Sequence, residues 1–359
     1  MVVKILVVNT NLFRFNGIST TIANYYKHID HKKFAIDIVA NEQIEDFFKK
    51  QFTSSGSNVY LLKSRNHSPF KYEFELHKII KKGHYDILYV NGNSSTMSLE
   101  LMAAIGTKVR KIVHAHASTT DHIILNKFLY FYFINNYDFA FAASKNSGRW
   151  LFKDKKFTII KNGIDPTDFK FNLEDRNYLR KKLRINNNDF VLLQVGAFTE
   201  QKNYDFTIKL FSELLKIKKH FQLLLIGEGY LKERIKKKAM ELGIYEKIKF
   251  MPTSDEICKF YSAADLCLFP SKWEPFGIVS LEAQASGLPV FMSDKFIKDV
   301  KVTKNASFIP LKLNLWIDKI ISQPKLSRNF DYSIEIKKSG YDIHDNVLEL
   351  EKLFNRMAK

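Results

Sequence analysis

Short apolar segments recur along this 359-residue chain, each separated from the next by a stretch with helical patterning. That alternation restricts the fold severely. Parallel strands need crossover connections, and the usual crossover is a helix, so the pattern specifies parallel sheets covered by helices. Residues 2–8, 34–40, 59–62, 86–90, 111–114 and 139–142 read as strands, with helices at 18–28, 42–53, 72–82 and 125–135. The last of these helices carries an aromatic face assigned to a core. Residues 158–160 precede Asn162-Gly163, a turn dipeptide because both residues tolerate positive φ. A polar, charged stretch, 166–188, reads as a linker. The alternation then resumes, with strands at 190–195, 221–226, 248–251, 266–269 and 290–292 and helices at 203–216 and 230–242, the former with Asn203 as N-cap. The expected architecture is α/β: two doubly wound, Rossmann-like parallel-sheet domains, 1–165 and 189–340, facing across a cleft. A final helical stretch within 341–359 is expected to pack back towards the first domain.

The most chemically informative stretch is 271–288, SKWEPFGIVSLEAQASGL. It follows directly on an apolar strand, and in open α/β sheets ligands sit beyond the carboxyl ends of strands. Glu274 and Glu282 are eight residues apart and flank a Pro-Phe-Gly turn that opens a helix. Glu274 falls on the loop and Glu282 about two turns down the helix. Glu282 lies between Leu281 and Ala283, where a carboxylate is costly unless something hydrogen-bonds it. Its partner is either an interior ion pair or a ligand hydroxyl.

Composition narrows the function classes. The 45% hydrophobic and 14% aromatic content supports ordinary globular cores. Two cysteines, Cys258 and Cys267, imply no disulfide framework and suit a reducing cytoplasm. The first apolar run is too short for a signal peptide. The longest, 128–134, has seven residues, far from the roughly 20 that span a bilayer. A net charge of +18 is spread over both halves, +10 within residues 1–165 and +8 beyond, without a block of five or six consecutive basic residues or a nucleic-acid motif. Such a field suits an anionic membrane face or a phosphorylated substrate, and nucleic acid least. No metal-ligand cluster or Asp-x-Asp motif stands out, and no GxGxxG follows Val8 or Val195, which argues against a nicotinamide enzyme.

The ordered set of motifs resembles the retaining GT-B glycosyltransferases of family 4, glycosyl transferases group 1, almost end to end. Glu274…Glu282 is similar to that family's E-x7-E signature. Val195-Gly196 with Gln201-Lys202-Asn203, Ile226-Gly-Glu-Gly229, Ser262-Ala-Ala-Asp265 and Leu268-Phe-Pro-Ser271 resemble its donor domain. Ile112-Val-His-Ala-His116, Ala143-Ser144-Lys145 and Ile160-Lys-Asn-Gly-Ile-Asp165 look like its bacterial capsular and exopolysaccharide branch.

The resemblance implies a nucleotide-sugar donor, with UDP favoured, and a saccharide acceptor, plausibly lipid-diphosphate-linked, at the inner face of the cell membrane. It implies that Glu282 accepts from both ribose hydroxyls and that Glu274 binds hydroxyls of the transferred sugar. Lys202 would stabilise the leaving phosphate. Gly277 and Ile278 would offer backbone N–H groups, and Gly17, Gly196, Gly227 and Phe276 complete the donor contacts. His116, favoured over His114, would touch the transferred sugar. No protein nucleophile, cofactor or metal is implied. One departure stands out: the family commonly carries Arg after Val-Gly, and here that residue is Ala197. Two other readings therefore remain: a non-catalytic subunit of an active glycosyltransferase, and a sugar-nucleotide epimerase on the same fold.

Overall fold

The computed structural model describes residues 2–358 except 119, 121, 122, 219, 325–327 and 329. It divides into two compact units, residues 1–163 with 343–359, and 164–342.

The first unit begins β1 (Val3–Asn9), α1 (Gly17–His28), β2 (Phe34–Asn41), α2 (Asp46–Ser54), β3 (Val59–Leu62) and α3 (Pro69–Gly83). It continues β4 (Ile87–Gly92), α4 (Ser98–Ala103), β5 (Arg110–Ala115), α5 (Ile123–Asn135), β6 (Phe139–Ala142), α6 (Lys145–Phe152) and β7 (Thr158–Ile159). These strands form a parallel sheet in the order β3-β2-β1-β4-β5-β6-β7. The period of two decides the layers. In β1, Ile5 and Val7 enter one core while Leu6 and Val8 enter the other. Helices cover both faces, which is why these strands read as nearly continuous apolar runs.

The second unit contains α7 (Leu173–Lys182), β8 (Phe190–Val195), α8 (Tyr204–Ile217), β9 (Phe221–Ile226), α9 (Lys232–Glu241) and β10 (Ile248–Met251). It continues α10 (Ile257–Ala263), β11 (Leu266–Phe269), α11 (Ile278–Ala285), β12 (Val290–Ser293), β13 (Ala306–Ile309), α12 (Leu313–Ile321) and α13 (Ser333–Lys338). Its sheet runs β10-β9-β8-β11-β12-β13, again parallel. Val191 and Leu193 enter one core and Leu192 the other. In each sheet the strand order reverses once, between β1 and β4 and between β8 and β11. Doubly wound sheets bind ligands at that switch, outside the carboxyl strand ends.

Several local expectations are corrected. The stretch 166–188 is no bare linker, because α7 is an integral layer of the second unit. Its Arg176 and Arg180 donate to the two Asp265 carboxylate oxygens, each at 2.6 Å, and Asp265 also accepts from the Val191 N–H at 2.7 Å. Ser262-Ala-Ala-Asp265 is thus a structural clamp. The helix expected from residue 42 starts only at Asp46, since Glu42 sits at φ 58° in a loop. Asn203 precedes α8 at φ 55°, and its side chain makes no cap. Its Nδ2 instead donates to the Pro270 carbonyl at 3.0 Å, tying the loop after β8 to the loop after β11. On α5, Phe133 is buried, but Ile124, Phe128 and Phe131 are exposed, so that helix's aromatic face does not belong to the core.

The last helix, α14 (Ile343–Met357), belongs to the first unit. Ile343, Val347, Leu350 and Phe354 recur at helical spacing and enter the same core as β1 and α1. Its buried Glu351 accepts from the Asp30 N–H at 2.8 Å.

Candidate active site

In the second unit the loops after β8 and β11 meet at the switch point. β8 ends in Val195, and Gly196 follows at φ 154°. A Cβ on Gly196 would press against the aliphatic stem of Lys202 at 3.2–3.3 Å, so the glycine lets Lys202 fold across it. Gly227, after β9, is held more strictly: at φ 149° its Cβ would lie 2.0 Å from the Gly196 carbonyl oxygen. Both glycines therefore shape the floor through close backbone approach.

Lys202 Nζ is bonded to Glu274 Oε2, an ion pair spanning the two loops. Both side chains are largely withdrawn from solvent, with 15% and 7% exposure. Glu274 also receives a long hydrogen bond from Ser271 Oγ at 3.4 Å. Gly277 caps α11 at φ 84°, and a Cβ there would meet Glu274 Cγ at 3.0 Å and the Phe296 ring at 2.5 Å. Gly277 thus lets the Glu274 side chain lie beside the helix start. The first N–H groups of a helix have no intrahelical acceptor, and α11 presents them from Ile278 onward. Phe276 itself packs in the core, 5.2 Å from the Tyr341 ring, so only its backbone remains for a ligand.

Glu282 is buried on α11, and burial pushes its carboxyl up to about 7. Tyr261 on α10 donates its hydroxyl to Glu282 Oε2 at 2.9 Å, which opposes that rise. This partner stands 21 residues away on another helix and carries no sequence signal. Tyr261→Phe is expected to raise the Glu282 midpoint further and, by removing one hydrogen bond, to cost about 1 kcal/mol. A calorimetric and pH titration would check it, and an unmoved midpoint would show that Tyr261 does not tune Glu282.

In the first unit, His114 is the penultimate residue of β5 and His116 directly follows the strand. Their rings lie 4.0 Å apart. His116 Nε2 faces Asn91 Oδ1 at 2.9 Å, and Asn91 itself pairs in register with Asn9 across the β1–β4 switch. Since the Asn91 oxygen can only accept, Nε2 carries the proton. His114 Nδ1 meets the Tyr89 hydroxyl, and among the described residues His114 Nε2 and His116 Nδ1 have no partner. Burial holds His116 down at about 3 and His114 well below the usual histidine range. Both are neutral at physiological pH, which suits hydroxyl recognition and not acid catalysis. Gly17, expected in the loop after β1, is instead the first residue of α1, beside the capping Asn16. A Cβ there would meet nothing within 4 Å.

Residues 15–168 match the family described as Glycosyltransferase Family 4, and residues 175–334 match Glycosyl transferases group 1. The chain belongs to the family 4 glycosyltransferases. A Bacillus subtilis protein named as a glycosyltransferase, EpsF, is 24% identical over 94% of this chain and 93% of its own length. The lipopolysaccharide glucosyltransferase WaaG of Escherichia coli is 32% identical, but over 38% of this chain and 37% of its own. Anabaena HepE, solved with UDP and glucose, superposes with TM-score 0.79 at 17% identity, covering 98% of this chain and 99% of that one. The two parallel-sheet units thus have the GT-B fold.

In this glycosyltransferase Ala197 leaves an exposed, short side chain where the family commonly places Arg. A second base nevertheless stands close. The Lys272 N–H donates to the Gln201 carbonyl at 2.8 Å, and Lys272 Nζ pairs with Glu200 at 2.8 Å. Sequence reading missed Lys272 because its proximity to Lys202 depends on the two loops meeting.

Proposed function

We propose that this glycosyltransferase is a retaining enzyme that moves a sugar from a UDP-sugar to a growing bacterial surface glycan. Its acceptor would be a lipid-diphosphate-linked saccharide at the inner face of the cell membrane. The observation that carries this reading is the Lys202–Glu274 pair at the β8–β11 switch, with buried Glu282 farther along α11. A ribose diol offers two donors to a carboxylate. A pyrophosphate needs a cation and N–H groups, which Lys202 and the start of α11 supply. A transferred sugar needs a hydroxyl acceptor, the role of Glu274. HepE shares the fold and was solved with UDP and glucose, which supports uracil over guanine as the donor's base.

The reaction needs little from protein acids. The acceptor oxygen bonds to the anomeric carbon on the face from which the phosphate leaves. The carbon–phosphate-oxygen bond breaks, and the acceptor's proton passes to the departing phosphate. Lys202 stabilises the charge that develops there, and neutral His116 holds a sugar hydroxyl. Ala197 favours the reading as a non-catalytic subunit, whereas Lys202, Glu274 and Glu282 all remain in place.

The test incubates the protein with UDP-glucose or UDP-galactose and a lipid-linked saccharide, following UDP release and product anomer by NMR. The proposal expects acceptor-dependent UDP release and a product with the donor's α configuration. Inverted product would overturn the retaining mechanism, and conversion of UDP-sugar without acceptor would identify an epimerase. Gly17→Ala checks the first unit separately. Melting should be unchanged because the new methyl meets no protein atom, while transfer should fall at least ~10-fold if backbone there must approach a ligand. Full activity would make Gly17 an ordinary helix start.

A further inference from the structure

The segment from the end of β4 onward, residues 91–98 (NGNSSTMS), is polar but carries no charge. It lies at the β1–β4 switch of the first sheet, and nearly every polar side chain in it bonds to protein. Ser94 Oγ and Thr96 Oγ1 bond each other at 2.7 Å. Ser95 donates its N–H to Asn126 Oδ1 at 2.8 Å and its hydroxyl to the Asn126 carbonyl at 2.6 Å, and Ser98 reaches the Leu129 carbonyl at 3.4 Å. Asn91 Nδ2 donates to the Tyr89 carbonyl at 3.3 Å, which leaves Asn91 Oδ1 for His116. Gly92 lets the loops after β1 and β4 touch, since a Cβ there would lie 2.5 Å from Thr10 Oγ1 and 3.0 Å from Met97. Asn93 is the exception. Its Oδ1 is buried and, among the described residues, has no partner.

A buried amide oxygen without a hydrogen bond costs stability, so its presence in a loop that is otherwise satisfied calls for a reason. The neighbouring strand supplies one. β4 and β5 pair in register as far as Gly92 and Ala115, and the His116 N–H donates onward to the Gly92 carbonyl at 3.2 Å. Continuing that register by one residue places Asn93 beside His116, at about the 4.8 Å spacing of neighbouring strands. His116 Nδ1 is also buried and, among the described residues, unpartnered. With its proton on Nε2, Nδ1 can only accept, as an amide oxygen can. Two neighbouring acceptors in a segment without cations suit a ligand that brings O–H donors and no charge. A diphosphate has no protons to offer them at neutral pH, whereas a neutral sugar offers several hydroxyls. Asn93 is only half-buried and its terminal torsion is soft, so its oxygen can turn to such a ligand.

We propose that Asn93 is a sugar-binding residue whose Oδ1, together with His116 Nδ1, accepts hydrogen bonds from two hydroxyls of one neutral saccharide ring. The inference rests on the sugar-transfer reading above. It leaves two sources for that ring, the transferred sugar and the acceptor.

The test compares wild type with Asn93→Ala in three measurements. These are thermal melting, calorimetric titration with UDP, UDP-glucose and UDP-galactose, and the acceptor KM in the transfer assay with a lipid-linked saccharide. Removing an unpartnered oxygen should leave the melting temperature unchanged or higher. A lower one would make Asn93 a structural amide and overturn the proposal. UDP affinity should be unchanged, and sugar recognition should fall roughly 10-fold, as for one lost hydrogen bond. Weaker UDP-sugar binding would assign the transferred sugar; a higher acceptor KM with unchanged UDP-sugar binding would assign the acceptor. Unchanged UDP-sugar affinity together with an unchanged acceptor KM would overturn the proposal while the transfer reading stands. A wild type that neither binds nucleotide nor transfers sugar would remove that reading, and this inference with it.

Discussion

Glu282→Gln is expected to weaken UDP binding by ~30-fold or more, because two hydrogen bonds to a charged acceptor become neutral ones. The same change should stabilise the fold at pH 8. The buried carboxyl titrates near 7, against 4.5 for an ordinary glutamate. The folded protein therefore holds a proton that the unfolded chain has released, and stability falls as pH rises from about 4.5 through 7. Two to three pH units correspond to about 3 kcal/mol of cost above pH 7, which glutamine removes. For the wild type, donor binding needs the carboxylate, so affinity should rise with pH below 7 and level off above it. The glutamine variant should show no such rise. Thermal melts and UDP titrations at pH 5.5, 7 and 8.5 would check both effects. A variant that is destabilised at pH 8 would mean that Glu282 is a structural ion-pair partner.

Lys202→Met should lower transfer by two to three orders of magnitude, the usual effect of removing one preorganised charge from a developing oxyanion. It should also leave Glu274 as an unpaired, nearly buried carboxylate, at a cost of about 3 kcal/mol. Lys202→Met/Glu274→Gln separates the two effects. Stability should largely recover, since neither charge is then stranded, while activity stays lost. Recovery of activity with stability would show that the pair merely staples two loops together.

The two sheets were legible because their strands are buried on both faces. A run such as Leu266–Phe269 is apolar at every position, because both faces of the sheet are covered there. Helix α7 was not legible. It is rich in charge and looks solvated, yet Arg180 is buried because Asp265, far along the chain, takes its charge. The opposite error occurred at α5. Seven consecutive apolar residues imply burial, but hydrophobicity alone does not say whether protein or something else covers a face.

The site divides in the same way. Glu274, Gly277 and Glu282 lie on one continuous stretch, so their spacing could be read directly. The Lys202–Glu274 bond joins residues 72 positions apart and had no sequence signal, since the resemblance named each residue only for a separate ligand role. Tyr261, Asn91 and Lys272 had no signal at all, since each acts through a partner that chain folding alone brings near. Phe276 shows the reverse limit: the motif names it, and the core takes its ring.

The most direct test of the donor site is a calorimetric titration with UDP, GDP and ADP, repeated on Glu282→Ala. The expected result is selective UDP binding that the variant loses, with Glu282→Ala still folded. Absence of binding to all three nucleotides would contradict the donor site, shift weight to a non-catalytic subunit, and make Ala197 the residue that decides this protein's role.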